Sequence, residues 1–92
     1  MKKIKLFYLE NCPYCHYAKR AVKELCAEDA AYAAIKIEWI EESRCPAIAE
    51  QYDYYYVPTV FFDGNKLYEA HPSEDYASCK ANLKRAFDTV LS

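Results

Sequence analysis

The feature that most constrains the fold is the junction at residues 9–15, where a short apolar run gives way to a helical pattern. Residues 4–9 are β-prone and apolar on both faces except for Lys5, which predicts an interior strand covered on both sides of a sheet. Pro13 fits the first turn of a helix because its missing N–H needs no partner there, and apolar residues then recur with helical spacing. We therefore expect a first helix from Pro13 to about Glu28, reaching Ala31 at most.

The next segment, residues 34–40, alternates apolar and charged side chains. This alternation predicts a half-buried strand with three residues on its apolar face: Ile35, Ile37 and Trp39. A helix joins this strand to the first, so the two strands should run parallel. A short second helix should follow, with Ser43 or Arg44 near its start and an end near Tyr52 or Asp53.

The last third of the chain predicts a hairpin and a helix. Residues 59–62 and 66–70 have strand composition and flank a turn at residues 63–65, which contains the only glycine of the sequence, Gly64. Ser73 then precedes an amphipathic pattern that runs to about Val90, with Ser73 as the expected N-cap. The order of elements is β-α-β-α-β-β-α, which indicates an α/β fold.

Length and charge limit the organisation and the partners. A chain of 92 residues is long enough for one core and too short for two, so residues 1–92 should form a single domain. The formal charge is -2 and both signs are interspersed, which argues against nucleic acid as a partner. The apolar run near the N-terminus is too short for a secretion signal or a membrane span, so we expect a cytoplasmic chain with no membrane partner.

Five cysteines, an odd number, argue against a disulfide scaffold. Cys12 and Cys15 stand at the start of the predicted first helix, where unpaired N–H groups and the helix dipole favour a thiolate at Cys12. Residues three apart at a helix start lie close enough to form a disulfide after modest adjustment. The pair is therefore interpreted as a redox couple, with exposed Cys12 as the nucleophile and Cys15 as the resolving thiol. Pro13 would stiffen the turn and Tyr14 would offer a contact surface.

The alternatives for this pair are a metal site and simple packing. One Cys-x-x-Cys pair supplies two ligands, whereas a closed zinc site needs four, and the sequence has no second such pair. We therefore expect no metal. Cys26 and Cys79 fall on apolar helix faces and should be buried, whereas Cys45 should lie at an exposed helix start.

The sequence "CPYC" between a strand and a helix, "VPTVFFDG" further on and the terminal helix together resemble glutaredoxins and other small thioredoxin-fold oxidoreductases. The resemblance covers nearly the whole chain and implies a three-layer thioredoxin-like fold of the glutaredoxin type with a four-stranded mixed sheet. It implies an enzyme that reduces protein or glutathione-mixed disulfides. It further implies a cis peptide bond at Val57-Pro58, which would turn the Val57 backbone toward a docked peptide or glutathione.

This chain departs from the glutaredoxin pattern where glutathione binds. The usual Gly-Gly pair before the last helix is replaced by "EAHPSED", in which Ser73 and Asp75 could still contact the charged ends of glutathione. Glu10 occupies a position that is often basic in these proteins, which leaves Lys19 as one supporting cation near the site.

These departures leave two electron donors open: glutathione as co-substrate, or a thioredoxin-reductase-type flavoenzyme. The sequence implies no bound cofactor and a monomer. A different class of function, a chain that binds an iron-sulfur cluster or a metal through Cys12, stays as an alternative. Of the three tyrosines before the proline, residues 54–56, at least one could line the substrate groove beside Val57, although packing in the core is the default interpretation.

Overall fold

The computed structural model describes residues 2–92. The elements in chain order are β1 (Lys3–Tyr8), α1 (Pro13–Glu28), α2 (Ala30–Ala33), β2 (Lys36–Glu41), α3 (Pro46–Ala49), β3 (Thr59–Phe62), β4 (Asn65–Glu69) and α4 (Tyr76–Leu91). The strands form one sheet in the order β2-β1-β3-β4. Strand β1 pairs parallel with β2 and antiparallel with β3, and β3 pairs antiparallel with β4. The predicted α/β fold with a four-stranded mixed sheet is confirmed.

Helices cover the two faces of the sheet unequally. On one face α1, α2 and α4 pack over the main core, in which Leu6 and Phe87 are fully buried. On the other face Phe7 and Phe61 form a smaller cluster, covered by α3 and by the chain that leads to β3. Strand β1 is therefore buried on both sides, as its apolar sequence predicted.

The first helix ends at Glu28 and does not extend to Ala31. Asp29 has an extended backbone, with φ -147° and ψ 120°, and its carboxylate accepts the Ala31 N–H at 2.8 Å. This aspartate closes α1 and caps α2, which buries Tyr32.

The predictions for residues 34–53 need two corrections. Strand β2 is an edge strand, so Trp39 is 37 % exposed and packs only edge-on against Tyr8, whereas Ile40 is buried on the opposite face. Helix α3 is a single turn that begins after Cys45, not near Ser43, and ends at Ala49. Tyr52 lies beyond this helix and packs on Phe7 with ring centroids 5.0 Å apart.

The hairpin turn uses two residues, Asp63 and Gly64, with φ angles of 51° and 80°. These two positive angles fit the tight turn whose twist matches paired strands, and β4 accordingly begins at Asn65. Ser73 is not the N-cap of the last helix, because its own φ is 69°. Asp75 is the N-cap, and its carboxylate accepts the Ser78 N–H at 2.8 Å.

Candidate redox site

Cys12 is the N-cap residue of α1, and Pro13 occupies the first turn as predicted. The Cys12 carbonyl accepts the N–H groups of Cys15 and His16 at 3.0 and 3.2 Å, while its side chain makes no capping hydrogen bond. The half-buried Cys12 sulfur therefore stands beside the N-terminus of a 16-residue helix. The positive end of a helix stabilises an anion, here a thiolate.

Cys15 lies one turn further inside and is fully buried. Burial raises the pKa of its thiol to about 12, although the Leu9 N–H opposes this by donating to Sγ at 3.3 Å. The neighbouring Cys12 adds to the rise. The two thiols are thus unequal, because one is accessible at a helix end and the other is buried and protonated.

The Val57-Pro58 segment, which leads into β3, faces this pair at the end of the two inner strands β1 and β3. The Val57-Pro58 peptide bond is cis, and the Val57 carbonyl oxygen lies 4.0 Å from Cys12 Sγ. Pro58 is fully buried, and its carbonyl accepts the Ala70 N–H at 3.0 Å. The structure thus brings Cys12, Val57 and Pro58 together, and their role toward a substrate stays a prediction.

Tyr14 connects the start of α1 to the loop before α4. Its hydroxyl oxygen accepts the Ser73 backbone N–H at 2.9 Å. The Asp75 carboxylate is likewise engaged, because it caps α4. Both groups predicted to receive glutathione therefore already have partners within the chain, and their role toward that ligand stays a prediction.

Lys19 contacts the last residue of β1. Its ammonium group lies over the Tyr8 ring, 4.6 Å from the centroid. Its supporting role toward Cys12 stays a prediction.

Two contacts at the turn before Cys12 were not predicted. The Glu10 N–H donates to Glu41 Oε2 at 3.2 Å, and His16 Nε2 lies 2.9 Å from the Glu10 carbonyl oxygen. Glu41 is buried at the end of β2, and hydrogen bonds from the Ser43 hydroxyl and from backbone N–H groups lower the pKa of its carboxyl against the effect of burial. No local pattern predicts the contact between Glu10 and Glu41, since these residues are 31 positions apart in sequence.

Two of the three tyrosines before the proline remain exposed. Tyr54 packs on Phe7 with ring centroids 5.0 Å apart and donates its hydroxyl to Glu42 at 3.0 Å. Tyr55 and Tyr56 are 86 % and 51 % exposed. Both directly precede Val57 in the chain, and a contact with substrate stays a prediction.

The other three cysteines differ in burial. Cys79 is buried as expected, whereas Cys26 and Cys45 are half-buried, so the expectations of a buried Cys26 and an exposed Cys45 were wrong. Within residues 2–92 no three histidine, cysteine or carboxylate side chains converge in a way that could hold a metal ion. The same part of the chain contains no helix long and apolar enough to cross a membrane.

Comparisons with known proteins agree with this geometry. Residues 2–75 match the family described as "Thioredoxin domain". The chain is 33% identical over 73 residues to a thioredoxin from Methanocaldococcus jannaschii, which covers 79% of this chain and 84% of that protein.

Solved structures show the same fold at low sequence identity. Thioredoxin 1 from Thermosipho africanus superposes with a TM-score of 0.61 at 17% identity, over 98% of this chain and 99% of that one. A mutant thioredoxin from Halobacterium salinarum gives 0.58 at 22% identity, over 92% and 74%. The glutaredoxin subclass suggested by the motifs stays a prediction. By its fold, the matched domain and its similarity to an archaeal thioredoxin, the chain belongs to the thioredoxin family.

Proposed function

We propose that Cys12 and Cys15 form a dithiol couple that reduces disulfides in protein substrates. One observation carries this proposal: Cys12 Sγ stands at a helix N-terminus, 4.0 Å from the Val57 carbonyl, with the buried thiol of Cys15 one turn behind it. The accessible sulfur can attack, and the buried one can resolve.

The reaction would proceed in two exchanges. The Cys12 thiolate attacks one sulfur of the substrate disulfide, forms a mixed disulfide and expels the other sulfur as a thiolate, which takes up a proton. Cys15 then loses its proton and attacks Cys12 Sγ. The products are a Cys12-Cys15 disulfide and the second substrate thiol, so two electrons have moved to the substrate. A reductant must then restore the dithiol.

The surroundings of Cys15 suit this order. A negative charge on Cys12 contributes to the raised pKa of Cys15. This contribution disappears when Cys12 enters the mixed disulfide, because its sulfur is then neutral. The Leu9 N–H, 3.3 Å from Cys15 Sγ, remains to stabilise the developing thiolate. Cys15 therefore becomes more acidic at the step in which it must attack.

We further propose that a thioredoxin-reductase-type flavoenzyme, and not glutathione, regenerates the dithiol. Two groups that would bind glutathione already have a partner in this chain, since the Ser73 N–H donates to the Tyr14 hydroxyl and one oxygen of the Asp75 carboxylate caps α4. A bulky protein disulfide needs only Cys12 and an extended stretch of chain beside Val57. We place this activity in the cytoplasm and in a monomer.

The test measures reduction of insulin disulfides with dithiothreitol as reductant. Cys12→Ser should abolish turnover, and Cys15→Ser should accumulate a mixed disulfide that mass spectrometry detects. Cys26→Ser is the matched control on the same helix and should keep full turnover. Full turnover by Cys12→Ser would reject the proposal.

The electron donor is tested separately with the oxidised protein. Thioredoxin reductase with NADPH should reduce it faster than glutathione does. Selective and rapid reduction by glutathione would instead support the glutaredoxin-type alternative.

A further inference from the structure

The Glu69 carboxylate, at the end of β4, contacts the segment that leads to Val57. One oxygen, Oε2, accepts the backbone N–H groups of Tyr55 and Tyr56 at 2.6 and 2.8 Å. The other, Oε1, lies 2.7 Å from Lys66 Nζ, which also donates to the Asp53 carbonyl at 3.3 Å. The Glu69 carboxylate and the Lys66 ammonium group thus connect residues 53–56 to β4 through hydrogen bonds.

This segment needs such partners because it has no regular secondary structure. Residues 53–58 lie between α3 and β3 and belong to neither a helix nor a strand. Backbone N–H groups outside a helix or sheet must find other acceptors, and an ionised carboxylate gives short and strong hydrogen bonds. Burial alone would raise the pKa of Glu69, but the bonds from Lys66 and from the two amides outweigh it and lower the pKa.

Glu69 also fixes the far end of the same segment. In the β3-β4 ladder its backbone is the register partner of Thr59, the first residue of β3. Its side chain holds the amides of Tyr55 and Tyr56. Glu69 therefore contacts the chain on both sides of Val57 and Pro58. The Thr59 hydroxyl, which donates to the Tyr56 carbonyl, and the Ala70 N–H, which donates to the Pro58 carbonyl, restrain the same stretch of chain.

From this geometry we infer that Glu69 is a positioning residue, which acts through the Tyr55 and Tyr56 amides to hold the Val57 backbone beside Cys12 for a protein substrate. The inference rests on the proposed disulfide-reducing function. It assigns a role to a residue of β4 that belongs neither to the Cys-x-x-Cys motif nor to the Val-Pro-Thr motif.

The first test follows amide hydrogen exchange by NMR and needs no turnover. Glu69→Ala should speed exchange at the Tyr55 and Tyr56 amides by about tenfold or more, while α1 and β1 amides stay protected. Glu69→Gln retains a carbonyl acceptor and should restore part of the protection. Glu38→Gln is the matched control, because Glu38 accepts from Lys5 Nζ at 2.6 Å on another strand of the same sheet. Unchanged exchange in Glu69→Ala, or an equal change in Glu38→Gln, would overturn the inference.

The second test separates positioning from simple stability. With insulin as substrate, Glu69→Ala should raise KM several-fold with a smaller change in kcat, and Glu69→Gln should lie between Ala and the parent chain. Reduction of hydroxyethyl disulfide, which needs little backbone contact, should change less than twofold. A parallel loss on both substrates would assign Glu69 to stability alone and overturn the inference. If the parent chain did not reduce insulin, the proposed function would be rejected. The hydrogen-exchange measurement would still show whether Glu69 protects the Tyr55 and Tyr56 amides.

Discussion

The Tyr14 hydroxyl oxygen accepts the Ser73 backbone N–H at 2.9 Å, which joins the Cys-x-x-Cys motif to the loop before α4. The two residues are 59 positions apart in sequence. Ser73 has a φ of 69°, which is unfavourable for a residue other than glycine, and it lies in a turn outside the helices and strands. The hydrogen bond therefore ties a loop of uncommon geometry to the start of α1.

Removing this bond should loosen the loop and leave the cysteines intact. Tyr14→Phe should lower the free energy of unfolding by about 1 kcal/mol, the typical net worth of one hydrogen bond. Amide exchange at Ser73 should accelerate, as NMR can measure. Tyr17→Phe, on the neighbouring ring, is the control. Slow Ser73 exchange in Tyr14→Phe would show that the contact contributes nothing in solution.

The two active-site thiols should differ in their reaction with alkylating agents. Because burial raises the pKa of Cys15 to about 12, its thiol stays protonated in the reduced protein between about pH 7 and about pH 9. Iodoacetamide should therefore modify Cys12 and leave Cys15 unmodified, as peptide mass spectrometry can show. Rapid labelling of Cys15 in the folded protein would contradict this assignment.

A buried polar cluster under α4 should matter for stability. Glu74 is 3% exposed, accepts from the Tyr68 hydroxyl, and accepts from Asn82 Nδ2 at 2.9 Å. Glu74→Ala would leave both donors without this acceptor and should cost about 2–3 kcal/mol in the free energy of unfolding. Denaturant unfolding measures the cost. Glu28→Ala removes an exposed partner of Lys80 and should change stability by less than about 0.5 kcal/mol. Equal effects of the two variants would contradict the role of the cluster.

Acid should weaken the contact between α1 and α4. The Glu24 carboxylate accepts hydrogen bonds from the Tyr76 hydroxyl and from the Lys80 ammonium group. These bonds, the one from Tyr76 most of all, lower the pKa of the carboxyl from 4.5 to about 2. Because the pKa of Glu24 is lower in the folded than in the unfolded chain, its carboxylate stabilises the folded protein. This stabilisation is fully present above about pH 4.5 and is lost as the pH falls toward about 2. Between about pH 4.5 and about pH 2, the free energy of unfolding should therefore change less with pH in Glu24→Gln than in the parent chain. Tyr76→Phe, which removes the first donor, should act in the same direction. Parallel pH profiles would contradict the prediction.

Much of the fold could be predicted because its signals are local. The apolar run before Cys12, the proline at the start of α1 and the Asp63-Gly64 turn each specify backbone geometry within a few residues. The ends of elements were harder to predict. Asp75, and not Ser73, is the N-cap of α4, and Trp39 is exposed because β2 is an edge strand, which a single alternating pattern does not reveal.

Local sequence patterns specify the order of the strands and of the helices other than the short, unpredicted α2, and they place Cys12 at a helix start, since these features depend on neighbouring residues. Which groups meet at the site depends on how these elements pack. Tyr14 reaches Ser73 across 59 positions, and Glu69 reaches Tyr55 across 14. The burial of Cys15 follows from packing on all sides. Such contacts depend on how the helices and strands pack against each other. Because a hydrogen bond between residues far apart in sequence produces no periodic pattern, it cannot be predicted from the local sequence.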